Sequence, residues 1–320
     1  MPPDTMGASL GSEVRGRVPR YGVGVLGLGV MGRFLAARFA ESERFDVVAA
    51  YDPAEPRDVP YPLLGSAEAV AHEPSVDCLY LASPPARHAE GVRLALAAHK
   101  PVLCEKPLAP TREVAQELSD AVGDAGLPAA VNFGFGTSAI GRSIARAVDE
   151  RLLGDVKHAR LVGRFRQWPR PWQASAGPWL TSPDEGGFTR EVFSHFVALG
   201  DRLFGPGKVV ESRVRRGEDG LESRVEATIA HGAIAFQIEG EIDSGAPEDD
   251  SLVFTVACES GELVIEDWEK AIGFPVDDTR AQGAPPAFAE LLDTGRADIP
   301  DFATGARVVH VIEDILGTGR

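Results

Sequence analysis

The stretch VGVLGLGVMG, residues 23–32, decides the fold of the first part of the chain. Its glycines Gly27, Gly29 and Gly32 have G-x-G-x-x-G spacing, after an apolar run and before a segment with helical apolar periodicity. In a strand–turn–helix unit the three glycines allow a tight turn, backbone approach to a pyrophosphate, and close helix–strand packing. The chain has 35 glycines, so the spacing alone is weak and its position carries the prediction of a dinucleotide site. The alternative is a glycine turn that binds nothing.

The pattern around this stretch predicts two kinds of sheet. From Gly22 to about Phe133, short apolar runs alternate with helical stretches, which indicates an α/β Rossmann fold with a doubly wound parallel sheet. Beyond residue 134 strand-like runs follow one another, with hairpin turns at His231-Gly232 and Ser260-Gly261, which predicts a C-terminal α+β domain with an antiparallel sheet. The predicted strands are 23–26, 45–51, 77–82, 102–104, 128–133, 156–165, 223–231, 233–242, 252–259 and 262–266, and the predicted helices of the second part are 138–152 and 302–316.

These patterns divide the chain into four segments. Residues 1–20 lack the apolar core of a signal peptide and are predicted to be a flexible tail. We expect an NAD(P)-binding Rossmann domain at 21–133, an α+β substrate and oligomerisation domain at 134–300, and a C-terminal helix at 301–320.

Composition excludes several classes of partner. The formal net charge of -16 would repel nucleic acid and anionic membranes, so neither is expected as a partner. No run reaches the ~18 apolar residues of a membrane span. The three cysteines are far apart, with no C-x-x-C pair, which indicates neither a disulfide framework nor a zinc site and favours the reducing cytoplasm. No metal motif is present in the sequence.

Asp52 favours NAD over NADP. It ends the second apolar run, twenty residues after Gly32, where a carboxylate accepts hydrogen bonds from the adenine ribose. Residues 53–56 carry no basic side chain that would offset its repulsion of a 2′-phosphate. NADP stays possible, because a distant arginine can fold back. The predicted cofactor contacts are Gly27, Leu28, Gly29, Val30, Met31, Gly32, Asp52, Ser83, Pro84, His88, Glu105 and Lys106.

Further motifs follow the glycine loop in a characteristic order. They are GLGVMG (27–32), ASPPARH (82–88), CEKPLA (104–109), GGFTREVFSHF (186–196) and IPDFATGARVVHVIEDI (299–315). Together they resemble the glucose–fructose oxidoreductase, inositol dehydrogenase and rhizopine-catabolism family (Gfo/Idh/MocA), over nearly the whole chain from Gly22. The resemblance implies a nicotinamide cofactor, a large open antiparallel sheet in the second domain, and a homo-oligomer, dimer or tetramer, that pairs through this sheet.

The resemblance also implies the catalytic residues. Lys106 occupies the lysine of the Glu-Lys-Pro element, near the nicotinamide and the substrate. The second-domain motif is roughly Gly-Gly-x-x-x-Asp-x-x-x-His; Gly186, Gly187 and His195 match it, and Glu191 stands where Asp is usual. Spaced i, i+4, Glu191 and His195 would share one helical face, so the carboxylate could fix the imidazole for proton transfer, or contact substrate or Lys106 instead. The alternatives are a solvated lysine and a histidine packed beside an apolar stripe.

Four further residues are candidate substrate contacts. Arg190 lies about 140° from His195 on a helical wheel, so a structural ion pair is favoured over a carboxylate-binding role. Trp172 and Trp179, in the proline-rich loop 168–180, could stack on sugar rings or pack on the sheet. Phe133 lies in the stretch NFGFGTSA (132–139), where glycines and phenylalanines replace the basic or aromatic contacts that we expect from the family.

The main hypothesis is therefore an NAD(P)-dependent oxidoreductase. It would transfer hydride between nicotinamide and a hydroxyl, carbonyl or imine carbon of a small sugar- or polyol-like substrate. Two alternatives stay open: a regulatory protein that senses a dinucleotide without turnover, and a hydrolase or lyase that keeps and recycles its NAD.

Overall fold

The computed structural model describes residues 19–56, 58–173, 176–246, 248, 250–277 and 283–317. Nearly all of the tail predicted at 1–20, and the last three residues of the segment predicted at 301–320, lie outside the described residues. Two β-sheets organise the rest, one of five strands and one of seven.

The five-stranded sheet is fully parallel, as the alternating pattern predicts. Its order is β2-β1-β3-β4-β5, with every neighbouring pair parallel. The order changes direction at β1, so the carboxyl ends of β1 and β3 form a crevice where ligands bind in such folds. The strands are β1 Tyr21–Leu26, β2 Phe45–Tyr51, β3 Cys78–Leu81, β4 Val102–Glu105 and β5 Ala129–Asn132.

Helices cover both faces of this sheet. On one face Phe39 of α1 packs against Phe45, which stacks at 6.2 Å on Phe288 of α7. On the other face lie α2, α3 and α4, whose apolar residues join one continuous core with the second sheet. The helices are α1 Val30–Glu41, α2 Ala67–His72, α3 Pro85–Ala97, α4 Arg112–Ala125, α5 Ala139–Asp149, α6 Ser194–Phe204, α7 Ala284–Thr294 and α8 Phe302–Leu316.

The seven-stranded sheet is mostly antiparallel, with order β12-β11-β10-β6-β9-β8-β7. Both predicted hairpins are confirmed, because β8 pairs antiparallel with β9 and β10 with β11. One pair differs from the predicted antiparallel arrangement: β6 and β9 pair in parallel. A long crossover that contains α6 joins β6 to the later strands, and such a crossover permits parallel neighbours. The strands are β6 Val156–Phe165, β7 Lys208–Arg216, β8 Glu222–His231, β9 Ile234–Ile242, β10 Asp250–Cys258, β11 Glu262–Glu266 and β12 Lys270–Ile272.

Helix α8 connects the two sheets. It begins at Phe302, after Asp301 caps its first turn by accepting a hydrogen bond from the Thr304 N–H at 2.7 Å. It packs against α4 and β5 on one side, and against α6 and β7 on the other. Gly305 permits the close approach, because a Cβ there would lie 2.6 Å from the Val131 side chain. Among the described residues, none of the helices combines the length and apolarity required to cross a membrane.

Candidate active site

A cavity of about 1890 Å³ opens at the carboxyl edge of the parallel sheet and extends to the second sheet. One part is lined by the glycine loop, Asp52 and the Ser83-Pro84 segment, and the other by residues from both sheets. Its volume exceeds the ~300–1,000 Å³ of ordinary small-molecule pockets, so it has room for a dinucleotide and a second molecule. The second part is lined by Glu105, Lys106, Asn132, Arg170, Trp172, Gln173, Trp179, Glu191, His195, Asp250 and Trp268.

The glycine loop has the geometry that a pyrophosphate requires. Gly27 has φ +100°, and a Cβ there would lie 2.7 Å from the backbone at Ala82. A Cβ on Gly32 would lie 2.1 Å from the Gly27 carbonyl oxygen, whereas a Cβ on Gly29 would meet nothing within 4 Å. Helix α1 starts at Val30 with no side-chain cap and no acidic residue in its first turn. Its first N–H groups therefore lack intrahelical partners and suit an anion in the cavity.

Asp52 is fixed beside this loop. Its carboxylate accepts hydrogen bonds from the backbone N–H of Leu28 at 2.6 Å and of Ala54 at 2.8 Å. The buried Leu28 thus contributes its backbone and not a cavity-lining side chain. Nearby, the Arg33 guanidinium pairs with Asp58 at 3.1 Å through both carboxylate oxygens. This arrangement leaves a carboxylate, not a cation, where a ribose hydroxyl would lie.

The Ser83-Pro84 segment lines the cavity, but His88 lies beneath it. The His88 ring is fully buried, with Nε2 2.8 Å from the Ser83 carbonyl oxygen and Nδ1 3.0 Å from the Pro107 carbonyl oxygen. Burial lowers the pKa of His88 below its ordinary value, although its backbone hydrogen bonds act in the opposite direction. His88 therefore joins the Ser83 segment to the Glu-Lys-Pro turn and does not line the cavity.

Glu105 anchors the end of β4. Its Oε1 accepts hydrogen bonds from the Tyr80 hydroxyl at 2.8 Å and the Asn132 amide at 2.6 Å. Burial raises the pKa of Glu105, against the lowering effects of these hydrogen bonds and of the Lys106 charge. The three side chains come from the neighbouring strands β3, β4 and β5, so they fix the strand ends from which Lys106 projects.

Lys106, just after β4, and Glu191, just before α6, form a buried ion pair. The Lys106 Nζ lies 2.9 Å from Glu191 Oε2 and also donates to the Glu191 carbonyl oxygen at 2.9 Å. The side chains are only 10% and 8% exposed, so the pair is weakly screened by solvent. The other carboxylate oxygen, Oε1, is buried and has no hydrogen-bond partner. The ion pair therefore leaves one buried acceptor of Glu191 unused, in a residue that lines the cavity.

The expected single helical face for Glu191 and His195 does not form. Residues Thr189–Phe193 make a π-helical turn before α6, and the extra residue takes Glu191 out of the i, i+4 alignment. His195 instead packs edge-on against Phe133 at 6.0 Å and Trp268 at 5.6 Å. Its Nδ1 has no hydrogen-bond partner. Burial, with the Lys106 and Arg170 charges, lowers the pKa of His195 well below its ordinary value, so the imidazole is neutral near pH 7.

Of the four candidate substrate contacts, two line the cavity and two do not. Trp172 and Trp179 line the cavity. Phe133 is buried behind His195 and does not line it. Arg190 does not line it either: its guanidinium pairs with Glu313 at 2.7 and 3.0 Å, which is the structural ion pair that the sequence favoured.

Sequence patterns did not identify several cavity residues, among them Asn132, Arg170 and Trp268. Asn132 ends β5, and a polar residue at the carboxyl end of a parallel strand is a signal that could have found it. Arg170 is buried, with Cζ 4.7 Å from the Trp172 ring centre, and Trp268 lies in the β11–β12 connection with φ +70°. Only the pairing of distant strands brings these two residues to the cavity. Within the described part of the chain, no cluster of three or more His, Cys, Asp or Glu side chains could hold a metal ion.

Residues 21–133, which contain the glycine loop and Lys106, match the family described as "Oxidoreductase family, NAD-binding Rossmann fold", GFO_IDH_MocA. Residues 21–133 are therefore similar to the Gfo/Idh/MocA family. The predicted resemblance is thus confirmed, and with it the NAD-binding class of the Rossmann fold.

Two curated proteins are similar to different lengths of the chain. The chain is 35% identical over 96 residues, 30% of its length and 29% of the relative, to 1,5-anhydro-D-fructose reductase of Ensifer adhaerens. It is 24% identical over 262 residues, 79% of its length and 62% of the relative, to 2,7-anhydro-N-acetylneuraminate hydratase of Escherichia coli K12. The chain matches less than two thirds of the length of these curated relatives.

A solved structure shows the same fold over both sheets. The WlbA dehydrogenase of Bordetella pertussis, in complex with NADH and UDP-GlcNAcA, is 18% identical with a TM-score of 0.78. The likeness covers 94% of this chain and 98% of that one. The predicted combination of a Rossmann sheet with a large, mostly antiparallel second sheet is therefore confirmed.

Proposed function

We propose that the chain is an NAD(P)-dependent oxidoreductase that acts on a hydroxyl, carbonyl or imine carbon of a small, neutral, sugar- or polyol-like substrate. The observation that carries the proposal is the buried Lys106–Glu191 pair beside a neutral His195, in a cavity that the glycine loop also lines. The family match of residues 21–133 and the sugar-active relatives support it.

The residues of the first sheet fit a dinucleotide. Gly27, Gly29 and the uncapped start of α1 would hold the pyrophosphate, and Asp52 would hold the adenine ribose. A bound nicotinamide would supply the hydride acceptor or donor. We favour NAD, because the Asp52 carboxylate lies in the position that a 2′-phosphate would have to share, and Arg33 is paired with Asp58.

Lys106 and His195 divide the handling of the proton. The Lys106 ammonium can donate a hydrogen bond to the substrate oxygen at the reacting carbon and stabilise negative charge there. His195 is neutral with a free Nδ1, so it can accept the hydroxyl proton during oxidation and return it during reduction. Glu191 holds the ammonium in place and presents its unpaired Oε1 to a donor such as a substrate hydroxyl.

The charges of the second part of the cavity favour a neutral substrate. Lys106 is paired with Glu191, and Arg170 is bound by Asp250 at 3.1 Å and Gln173 at 3.0 Å. An acidic substrate would have to displace one of these carboxylates. The faces of Trp172, Trp179 and Trp268 offer stacking surfaces for a ring with apolar C–H faces.

A second candidate is redox-neutral chemistry in which bound NAD is reduced and reoxidised within one cycle. It is favoured by the match over 79% of the chain to a relative named as a hydratase. A sensor without turnover is disfavoured, because Lys106, Glu191 and His195 are all present and meet in one cavity.

Two further proposals concern assembly and location. We propose a homo-oligomer that pairs through the seven-stranded sheet, whose exposed face carries opposite charges such as Arg160 and Glu239, 2.9 Å apart. Light scattering of the purified protein tests it. The cytoplasmic prediction is supported by three free, buried cysteines, Cys78, Cys104 and Cys258.

The first experiment is an equilibrium titration with NAD⁺, NADH, NADP⁺ and NADPH, followed by a screen of neutral sugars and polyols that records nicotinamide absorbance. Lys106→Met should bind NADH but lose about 100-fold or more in turnover. The control is Lys100→Met, whose Nζ donates to the Glu73 carbonyl oxygen away from the cavity. No dinucleotide binding by the folded protein would contradict the proposal. Substrate consumption without net NADH would favour the redox-neutral candidate.

A further inference from the structure

The π-helical turn Thr189–Phe193 is a departure from regular helix at the wall of the cavity. The Ser194 N–H bonds to the carbonyl oxygen of Thr189, five residues back, rather than to Arg190, four residues back. The Arg190 carbonyl oxygen accepts the Ser194 hydroxyl instead, at 2.6 Å. The side chain of Ser194 thus satisfies the acceptor that the π turn frees.

The turn decides where Glu191 points. One inserted residue displaces the preceding side chains by about 100° around the helix axis, the step of one α-helical residue. In a regular helix Glu191 would stack on His195. In the π turn it reaches Lys106, with both its carboxylate and its carbonyl oxygen 2.9 Å from Nζ.

A buried ion pair holds this turn against α8. Arg190 and Glu313 are 4% and 8% exposed and join through two parallel hydrogen bonds of 2.7 and 3.0 Å. The remaining Arg190 nitrogen, Nη1, donates to the carbonyl oxygens of Pro183 at 2.8 Å and Gly186 at 3.0 Å. Two-point pairing of this kind fixes orientation as well as distance. Arg190 therefore ties the turn to α8 and to the loop that precedes it.

A carboxylate on the opposite side restrains the start of the turn. Glu222 of β8 accepts a hydrogen bond from the Thr189 N–H at 2.7 Å. A Cβ on Gly187, which has φ +96°, would lie 2.4 Å from the Glu222 carboxylate. The turn is therefore held between β8 and α8, and neither residue that holds it lines the cavity.

We propose that Arg190 and Glu313 are positioning residues, whose ion pair keeps the π-helical turn in the register that aims Glu191 at Lys106. The inference rests on the proposed function in that it gives the Lys106–Glu191 pair a catalytic task. Neither side chain lines the cavity, so the pair affects turnover indirectly, through the π-helical turn that carries Glu191. A pair that only stabilised the fold would leave the surroundings of Lys106 unchanged in any folded variant.

The test uses the single variants Arg190→Lys and Glu313→Gln, one control variant and one double variant. Asp314→Asn is the matched control, since Asp314 also lies on α8 and pairs with an arginine, Arg112, at 2.8 Å, but does not contact the turn. Arg190→Met combined with Glu313→Leu removes both charges, and such apolar replacements often preserve stability. This double variant tests the positioning role even if the single variants do not fold.

Two readouts separate positioning from stability. In [13C]lysine-labelled protein the five lysines give few Cε resonances, and Lys106→Arg assigns that of Lys106. We expect Arg190→Lys, Glu313→Gln and the double variant to move this resonance in the direction that Glu191→Gln moves it, and Asp314→Asn to leave it unchanged. We also expect kcat to fall about 10- to 100-fold, as for misplaced catalytic groups, with unchanged NADH affinity.

The outcomes distinguish this inference from the proposed function. A folded double variant with an unmoved Lys106 resonance and wild-type kcat would overturn the positioning role. If the wild-type protein turns over no substrate, the proposed function fails, but the lysine resonance still tests the geometry without substrate or cofactor. If the Lys106 resonance moves but kcat is unchanged, the Arg190–Glu313 pair orients Glu191 without any effect on catalysis. That result would also overturn the inference.

Discussion

Replacing Gly29 or Gly32 by alanine adds the same methyl group at two ends of one turn, and we expect opposite consequences. A Cβ at Gly29 would meet no atom within 4 Å, and the backbone there is extended with φ -68°. A Cβ at Gly32 would lie 2.1 Å from the Gly27 carbonyl oxygen and 2.9 Å from its carbon. Backbone atoms cannot rotate away as a side-chain end can, so α1 must shift in the second variant.

The structure sets the expected magnitudes. Gly32→Ala should lower the free energy of unfolding by about 1–3 kcal/mol from overpacking, partly offset by about 1 kcal/mol of helix propensity. Gly29→Ala should change it by less than about 1 kcal/mol, because the small N-cap preference for glycine opposes the reduced entropy of the unfolded chain. Its methyl group would occupy the approach of the pyrophosphate. The Gly29→Ala variant should therefore lose one charge-assisted hydrogen bond to the pyrophosphate, which contributes about 1.5–3 kcal/mol. This loss weakens NADH binding about 10- to 100-fold.

Urea unfolding and NADH fluorescence titration measure both effects on the same preparations. The expected pattern is a stable Gly29→Ala protein that binds NADH weakly, and a Gly32→Ala protein that is itself destabilised. Wild-type NADH affinity in Gly29→Ala would refute the assignment of the pyrophosphate to this turn. Equal stability of the two variants would refute the close packing of α1 on the Gly27 turn.

Two further substitutions test the electrostatics of the site. Asp52→Asn should shift the ratio of NADPH to NADH affinity roughly tenfold toward NADPH, because it removes a carboxylate from the 2′-phosphate position. Competitive titration measures this ratio. An unchanged ratio would contradict the role of Asp52. His195→Asn tests the half-buried, neutral imidazole. Burial lowers the pKa of His195, so below about pH 6.5 the unfolded chain binds a proton that the folded chain does not, and stability falls with pH. Between pH 7.5 and pH 5.5 the wild type should therefore lose about 1.4 kcal/mol more unfolding free energy than the variant, and parallel losses in urea unfolding would contradict the pKa direction.

Local patterns in the sequence were sufficient for most of the secondary structure. The runs predicted at 45–51 and 156–165 coincide with β2 and β6, because alternating or continuous apolar residues report burial within one strand. Strand β7 escaped prediction: its residues Lys208–Arg216 are rich in charge and lie at the sheet edge. Helix α7 was also missed, since its two prolines and small residues give a weak helical pattern.

The site was only partly predictable. The residue types of Lys106, Glu191 and His195 follow from their motifs, and all three line one cavity. The i, i+4 rule paired Glu191 with His195, whereas the structure pairs it with Lys106. That rule assumes a regular helix, and the π turn that breaks it is held by Glu313, 123 residues beyond Arg190.

The sequence by itself therefore determined three features: the alternation of strands and helices that builds the parallel sheet, the glycine loop, and the residue types available for chemistry. Each of these follows from hydrogen bonding, sterics or apolar spacing among residues close in the chain. Only the tertiary structure decided that Arg190 faces α8, that Glu191 meets Lys106, and that Arg170 is bound by Asp250, 80 residues away. The partner of a buried charge depends on how elements distant in the sequence pack, so local spacing does not predict it.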